Sequence, residues 1–172
     1  MGATAFDDGH NFNDEFDSMD EKVRYYQKIL KHRHKNEQSL PGPDVVEGLV
    51  QYCTEKENFE AALDFCTLWI DYIPYSSEAW QKLGYIYLNL DKFDQSLAAL
   101  EKALTFNPFD EETLINKAIV LDNTGDSEQA LITINHVLQT NPGNEDALYH
   151  KGIILESLDE FESAVKIFKY LS

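Results

Sequence analysis

From about residue 43 onward, apolar side chains recur at three- to four-residue intervals in short stretches separated by polar punctuation. Trp80, Leu83, Tyr87 and Leu90 fall on one face of a helix, and Leu97, Leu100, Ala103 and Leu104 do the same for a second. Between them, Asp91-Lys92-Phe93-Asp94 suits a tight turn, with a carboxylate placed to accept backbone N–H groups at the second helix start. Asn107-Pro108 ends that helix, because the residue before a proline is pushed out of the helical region. The pattern predicts an antiparallel helix pair over Ser77 to Pro108. Gly84 belongs where a side chain would hold the pair apart, a packing reason to accept its helix-propensity cost of about 1 kcal/mol.

Shifting the chain by 34 residues reproduces this pattern. Trp80 is replaced by Val46, Leu114 and Leu148, and Tyr87 by Cys53, Leu121 and Leu155, all apolar. Gly84 maps to Val50, Ala118 and Gly152; Ser96 maps to Ala62, Ala130 and Ala164; Leu100 maps to Cys66, Ile134 and Phe168. Pro74 and Pro142 match Pro108 as terminators. Three full units are predicted, 43–76, 77–110 and 111–144, with a fourth over 145–172. Lys117 and Lys151 replace Leu83, Ser127 replaces Phe93, and the first unit diverges most, with Val50 at the small position and Trp69 at the Ala103 position. Asp126 to Gln129 and Asp159 to Glu162 have the spacing of capping boxes.

Trp80, Leu83, Gly84 and Tyr87 spell W-x2-L-G-x2-Y, and Ala103 and Pro108 follow at matching distances, so the segment resembles a tetratricopeptide repeat. The resemblance implies an all-α fold, a right-handed superhelical solenoid of antiparallel helix pairs with about four repeats plus an N-terminal helix. It also implies that the first helix of each pair lines a concave surface holding an extended peptide. Carried onto this chain, the peptide groove would comprise Glu78, Tyr85, Asn89, Ile115, Asn116, Ile119, Asp122, Asn123, Tyr149, Ile153 and Glu156. Glu47, Gln51, Gln81, Lys82, Leu88, Glu112, Asp146 and His150 lie on the same inner face. A carboxylate-clamp groove needs several Lys, Arg and Asn side chains converging on an anion; here Lys82 stands among acids, which argues against an acidic chaperone tail. The apolar strip of Tyr85, Ile115, Ile119, Tyr149 and Ile153, edged by acids, suits a protein or peptide with apolar anchors and basic flanks. Asn89, Asn116 and Asn123 are candidates to bond its backbone, or to serve as helix caps.

Before the repeats, residues 1–19 are acidic, with Phe6, Phe12 and Phe16 interspersed, and are expected to be a flexible tail. The charge then reverses. Lys22, Arg24, Lys28, Lys31, Arg33 and Lys35 surround a stripe of Val23, Tyr26, Ile29 and Leu30, predicting an amphipathic helix from Asp20 to Lys35. Residues 20–42, this helix and a Pro/Gly turn, are expected to cap the array, with a membrane-surface helix as the alternative. At the other end Phe161, Ala164, Val165 and Phe168 predict a last helix with an uncovered apolar face. Either a longer array continues from it, or it mediates self-association.

The net charge of −17 argues against nucleic acid as a partner. The longest apolar run is too short to span a bilayer, and the N-terminus lacks the pattern of a secretory signal. Cys53 and Cys66 take interior positions of the first unit, so two buried thiols are expected in a reducing, cytoplasmic compartment, without metal or cofactor. His10, His32, His34, His136 and His150 have no nucleophile or acid partner at a recognisable spacing, and no phosphate-binding glycine loop occurs. A non-catalytic interaction scaffold is the expectation, with a self-assembling structural protein or the interaction part of a longer protein as alternatives.

Overall fold

The structure, a computed structural model, describes residues 16–31 and 40–172. Among the described residues there are nine helices and no strand: α1 (Met19–Lys31), α2 (Pro43–Glu55), α3 (Phe59–Tyr72), α4 (Ser77–Asn89), α5 (Phe93–Phe106), α6 (Glu111–Asn123), α7 (Ser127–Thr140), α8 (Glu145–Ser157) and α9 (Phe161–Leu171). The chain divides into two units, Met1–Pro41 and Gly42–Ser172.

In the first unit, α1 begins with Asp20 and Glu21 and ends with Lys28 and Lys31, the charge order that a helix dipole favours. Phe16 packs on Tyr25 and Tyr26, with ring centroids 5.1 and 5.9 Å away. The pattern predicts a helix from Asp20 to Lys35; the described one ends at Lys31, and residues 32–39, like the acidic stretch 1–15, lie outside the described residues.

The second unit is a solenoid of four helix hairpins, α2/α3, α4/α5, α6/α7 and α8/α9, each packed on the next. Within a hairpin, one close approach sets the spacing. A Cβ added to Gly84 would sit 2.5 Å from Cγ and Cδ2 of Leu100, and one on Gly152 would sit 2.5 Å from Cζ of Phe168. The register extends this as a size exchange across the pair: Val50 faces the small Cys66 position, and Ala118 faces Ile134. All four of these are buried, so each hairpin fills a similar volume with a different pair. The divergent Trp69 fits as well, at 4% exposure.

Both ends of the first helices also follow the 34-residue register. Ser76, Asp110 and Asn144 cap α4, α6 and α8, their side-chain oxygens accepting from the N–H of Ala79, Thr113 and Ala147 at 3.1, 2.8 and 2.8 Å. Each helix then ends on a residue with positive φ: Glu57 (55°), Asp91 (55°), Gly125 (87°) and Asp159 (61°). The next N–H reaches back five residues, as from Lys92 to Tyr87 O at 2.9 Å, while that of the left-handed residue reaches back three, as from Asp91 to Leu88 O at 3.1 Å. This is a Schellman ending in every hairpin, with only the third using glycine.

These observations correct the expected second-helix starts. α5, α7 and α9 begin after Lys92, Asp126 and Glu160, none of which makes a side-chain cap bond. Asp91 and Asp159 are spent on the left-handed turn, so neither is a cap, and Asp126 to Gln129 forms no capping box. In that hairpin Ser127 donates instead to Asp122 Oδ1 at 2.5 Å, which explains why a serine is tolerated at the aromatic position. Along α9, Phe161, Val165 and Tyr170 are exposed.

Candidate functional site

Across the last three hairpins first helices meet one another, α4 with α6 and α6 with α8, whereas no comparable contact joins α2 to α4, α3 to α5, α5 to α7 or α7 to α9 among the described residues. From α4 to α8 the array is therefore tighter on the side of the first helices, which make its inner surface there. A cavity of about 860 Å3 lies on this surface, bounded by the C-terminal half of α4, the first two turns and middle of α6, and the start of α8.

Five of the predicted groove residues come together in it: Tyr85, Asn89, Ile115, Asn116 and Ile119. Their roles differ from those expected. Asn89 is already engaged, its Nδ2 donating to Tyr85 O at 2.8 Å. Ile115 is 8% exposed and belongs to the core around Ala118 and Ile134, so Tyr85, Leu88 and Ile119 supply the accessible apolar wall. Asn116 is 6% exposed, and its Nδ2 has no hydrogen-bond partner among the described residues although the side chain lines the cavity. A buried amide donor left without an acceptor costs about 1–3 kcal/mol.

The remaining predicted residues lie elsewhere. Glu78 lines two smaller cavities with Lys82, one against the start of α6 and the other against α2. Asp122 accepts from Ser127 and from Ser157 at 3.1 Å, stitching the third hairpin to the fourth. Tyr149 is 51% exposed and stacks edge-on with His150 and Phe168. Asn123, Ile153 and Glu156 do not line the cavity.

Three residues not anticipated do line it: Asp91, Glu111 and Asn144. Asp91 arrives because the left-handed turn carries it past the end of α4. Asn144 arrives as the cap of α8. The 34-residue spacing of Asp110 and Asn144 was the available signal for that cap. Glu111 Oε2 accepts from Asn141 and Asn144 at 3.0 and 2.7 Å, joining the third unit's start to the fourth's. Glu112 Oε1 accepts from Gln81 Nε2 at 2.7 Å and lies 3.6 Å from Lys82 Nζ.

Electrostatically the cavity is acidic, with Asp91, Glu111, Glu112 and Asp146 on its lining and no lysine or arginine. His150 is held below its ordinary value by burial, opposed by the charge of Asp146, so it is neutral near pH 7. The thiols sit far from this chemistry: both are buried, and burial pushes Cys66 up to about 12 while its Sγ donates to Ala79 O at 3.4 Å. A thiol so protonated is not a nucleophile. Among the described residues no group of three potential metal ligands converges, and no helix is long and apolar enough to cross a membrane.

Comparison with known proteins agrees with this architecture. Residues 77–110 match the tetratricopeptide repeat family model. No curated protein matches the sequence. Among solved structures, one of MamA is similar with a TM-score of 0.69 at 22% identity, covering 96% of this chain and 93% of that one. YrrB, described as a TPR protein with an unusual peptide-binding site, gives 0.67 at 20% identity over 92% of this chain and 79% of its own. A thermophilic TPR protein of Thermus thermophilus gives 0.68 at 14% identity, covering 88% of this chain and 80% of that one. At these identities the likeness is one of fold.

Proposed function

Because the chain is a tetratricopeptide-repeat protein, with the repeat at residues 77–110 and the solenoid of that family, we propose that its inner surface is a peptide-binding groove. The fold is that of protein-interaction scaffolds in general. The finer reading is that an extended segment with apolar anchors and basic flanks lies across α4, α6 and α8, and that one of its backbone carbonyls accepts from Asn116 Nδ2.

The orphaned amide of Asn116 carries this reading. The donor is closed to solvent as it stands, on a side chain that lines an open cavity, and a bound main-chain carbonyl that the amide turned to meet would remove its standing cost. The acidic lining favours basic flanks and disfavours an acidic tail, and the walls of Tyr85, Leu88 and Ile119 offer apolar contact on either side. The peptide-binding site that the description of YrrB records, on a solenoid of similar fold, is consistent with it.

Fluorescence anisotropy tests the reading, using two labelled extended peptides with the same apolar centre and either lysine or glutamate flanks. The lysine peptide should bind more tightly, and Asn116→Ala and Ile119→Asp should each weaken it about tenfold. Equal affinity for both peptides, unchanged in both variants, would place any binding site elsewhere.

A further inference from the structure

We propose that the face formed by α8 and α9 at the end of the array is a docking seat for an amphipathic helix of a partner protein, one whose ridge runs from a small residue through an acid to an Ile or Val. This surface is separate from the groove and the proposal does not rest on the groove reading.

The chain itself shows how such a face is filled. α4, α6 and α8 each turn the same ridge toward the hairpin before them: Ala79, Leu83 and Ile86; Thr113, Lys117 and Val120; Ala147, Lys151 and Ile154. The first and last residue of every ridge is at most 1% exposed. In the third hairpin the seat is Ile115, Ala118, Ile134 and Val137, which share one core with Ala147 and Ile154 of α8 and are at most 8% exposed. One repeat on, the same positions are Tyr149, Gly152, Phe168 and Leu171. Gly152 is buried against Phe168, but Tyr149 is 51% exposed and Phe168 and Leu171 are only half-buried. The open face is therefore the next in a series of interfaces that the array already builds between its hairpins, and a helix is what each of them receives.

Charge and size decide which helix fits. Where α5 meets α6, Glu101 Oε1 lies 3.1 Å from Lys117 Nζ. At the Glu101 position α9 carries Lys169, which is exposed and makes no ion pair among the described residues. The sign of that contact is reversed, so the complementary helix puts a carboxylate where α6 has Lys117. Tyr149 and Phe168, with ring centroids 6.0 Å apart, stand in place of Ile115 and Ile134, so the first ridge residue must stay as small as Ala147. A second copy of this chain would offer α2, with Val45, Leu49 and Tyr52 at the ridge positions. None of these is small or acidic, and Leu49 is fully buried in its own hairpin. The seat therefore suits a helix from a different protein.

The test uses the full chain and two labelled peptides, residues 144–160 as they stand and the same segment with Lys151→Glu, followed by fluorescence anisotropy. The Lys151→Glu peptide should bind about threefold more tightly, the size of one exposed ion pair. Lys169→Glu in the full chain, at an exposed site, should invert the order. Leu171→Asp should weaken both peptides about tenfold or more, because a bound helix would bury the new charge. Binding of neither peptide, an order unchanged by Lys169→Glu, or affinities unchanged by Leu171→Asp would each overturn the proposal. Light scattering on the same samples separates the sources: a dimer of the chain that Leu171→Asp dissolves would give the seat to a second copy and overturn the partner helix. The groove is judged apart from all of these, since neither Asn116 nor Ile119 is substituted.

Discussion

Gly84→Ala is the most direct probe of what holds the hairpins at their spacing. The added methyl would lie 2.5 Å from Cγ and Cδ2 of Leu100 and 3.3 Å from its backbone N. Leu100 is fully buried and has no solvent to swing into, so α4 and α5 must separate. Overpacking by one methyl costs about 1–3 kcal/mol. Replacing a helical glycine by alanine returns about 1 kcal/mol. With so short an approach the cost lies toward the top of its range, leaving a net loss of about 1–2 kcal/mol. The third hairpin contains the remedy, since Ala118 there faces Ile134. Gly84→Ala/Leu100→Ile should therefore recover most of the loss. Leu100→Ala alone should cost about 2–5 kcal/mol, and less when combined with Gly84→Ala because the new methyl fills part of the void. Urea unfolding followed by circular dichroism on the parent, the two single alanine variants and their combination gives the coupling, expected to be at least about 1 kcal/mol. Strict additivity, or a Gly84→Ala protein more stable than its parent, would refute the close-packing account.

Asp110→Ala removes the α6 cap and should lower stability by about 0.5–2 kcal/mol, whereas Asp110→Asn should stay within a few tenths in the same urea assay. Asn116→Leu should raise stability by about 1 kcal/mol, because it deletes an unpaired buried donor, while weakening the lysine-flanked peptide; a loss of stability instead would mean the amide is satisfied in solution. His150 titrates lower folded than its ordinary 6.5, so the unfolded chain binds more protons as acid is added. Its contribution is fully present above about 6.5 and is lost as pH falls through the lowered folded value. Urea midpoints from pH 8 to 5 should therefore fall less steeply in His150→Gln.

The repeat was legible because its signal is carried by many residues at once, from Trp80 and Gly84 through Leu100 to Pro108, and shifting by one interval tests all of them together. Gly84 could be assigned its packing role because a glycine inside a strong helical pattern has few other reasons to be there. The caps were harder to read. Asp91 and Asp159 look like helix starters, yet both lie in left-handed turns, a place that aspartate tolerates better than most residues and that no local pattern separates from a cap. Within the groove, Asn89, Asn116 and Asn123 were alike on paper. Which of them would be tied to its own helix, buried without a partner, or left at an exposed end depended on neighbours from other hairpins. Asp91 and Glu111 were missed for the same reason: one is delivered by backbone conformation at a turn, the other through hydrogen bonds to residues thirty or more positions away.

The capping residues Ser76, Asp110 and Asn144 each belong, by unit boundaries drawn at the helix starts, to the preceding repeat. A cassette grafted as 77–110 would leave its own cap behind and import a stranger's. Cut one position earlier, as 76–109, it carries both its starting oxygen and its left-handed stop. The transferable piece of this protein is thus offset by a single residue from the one that the helices outline.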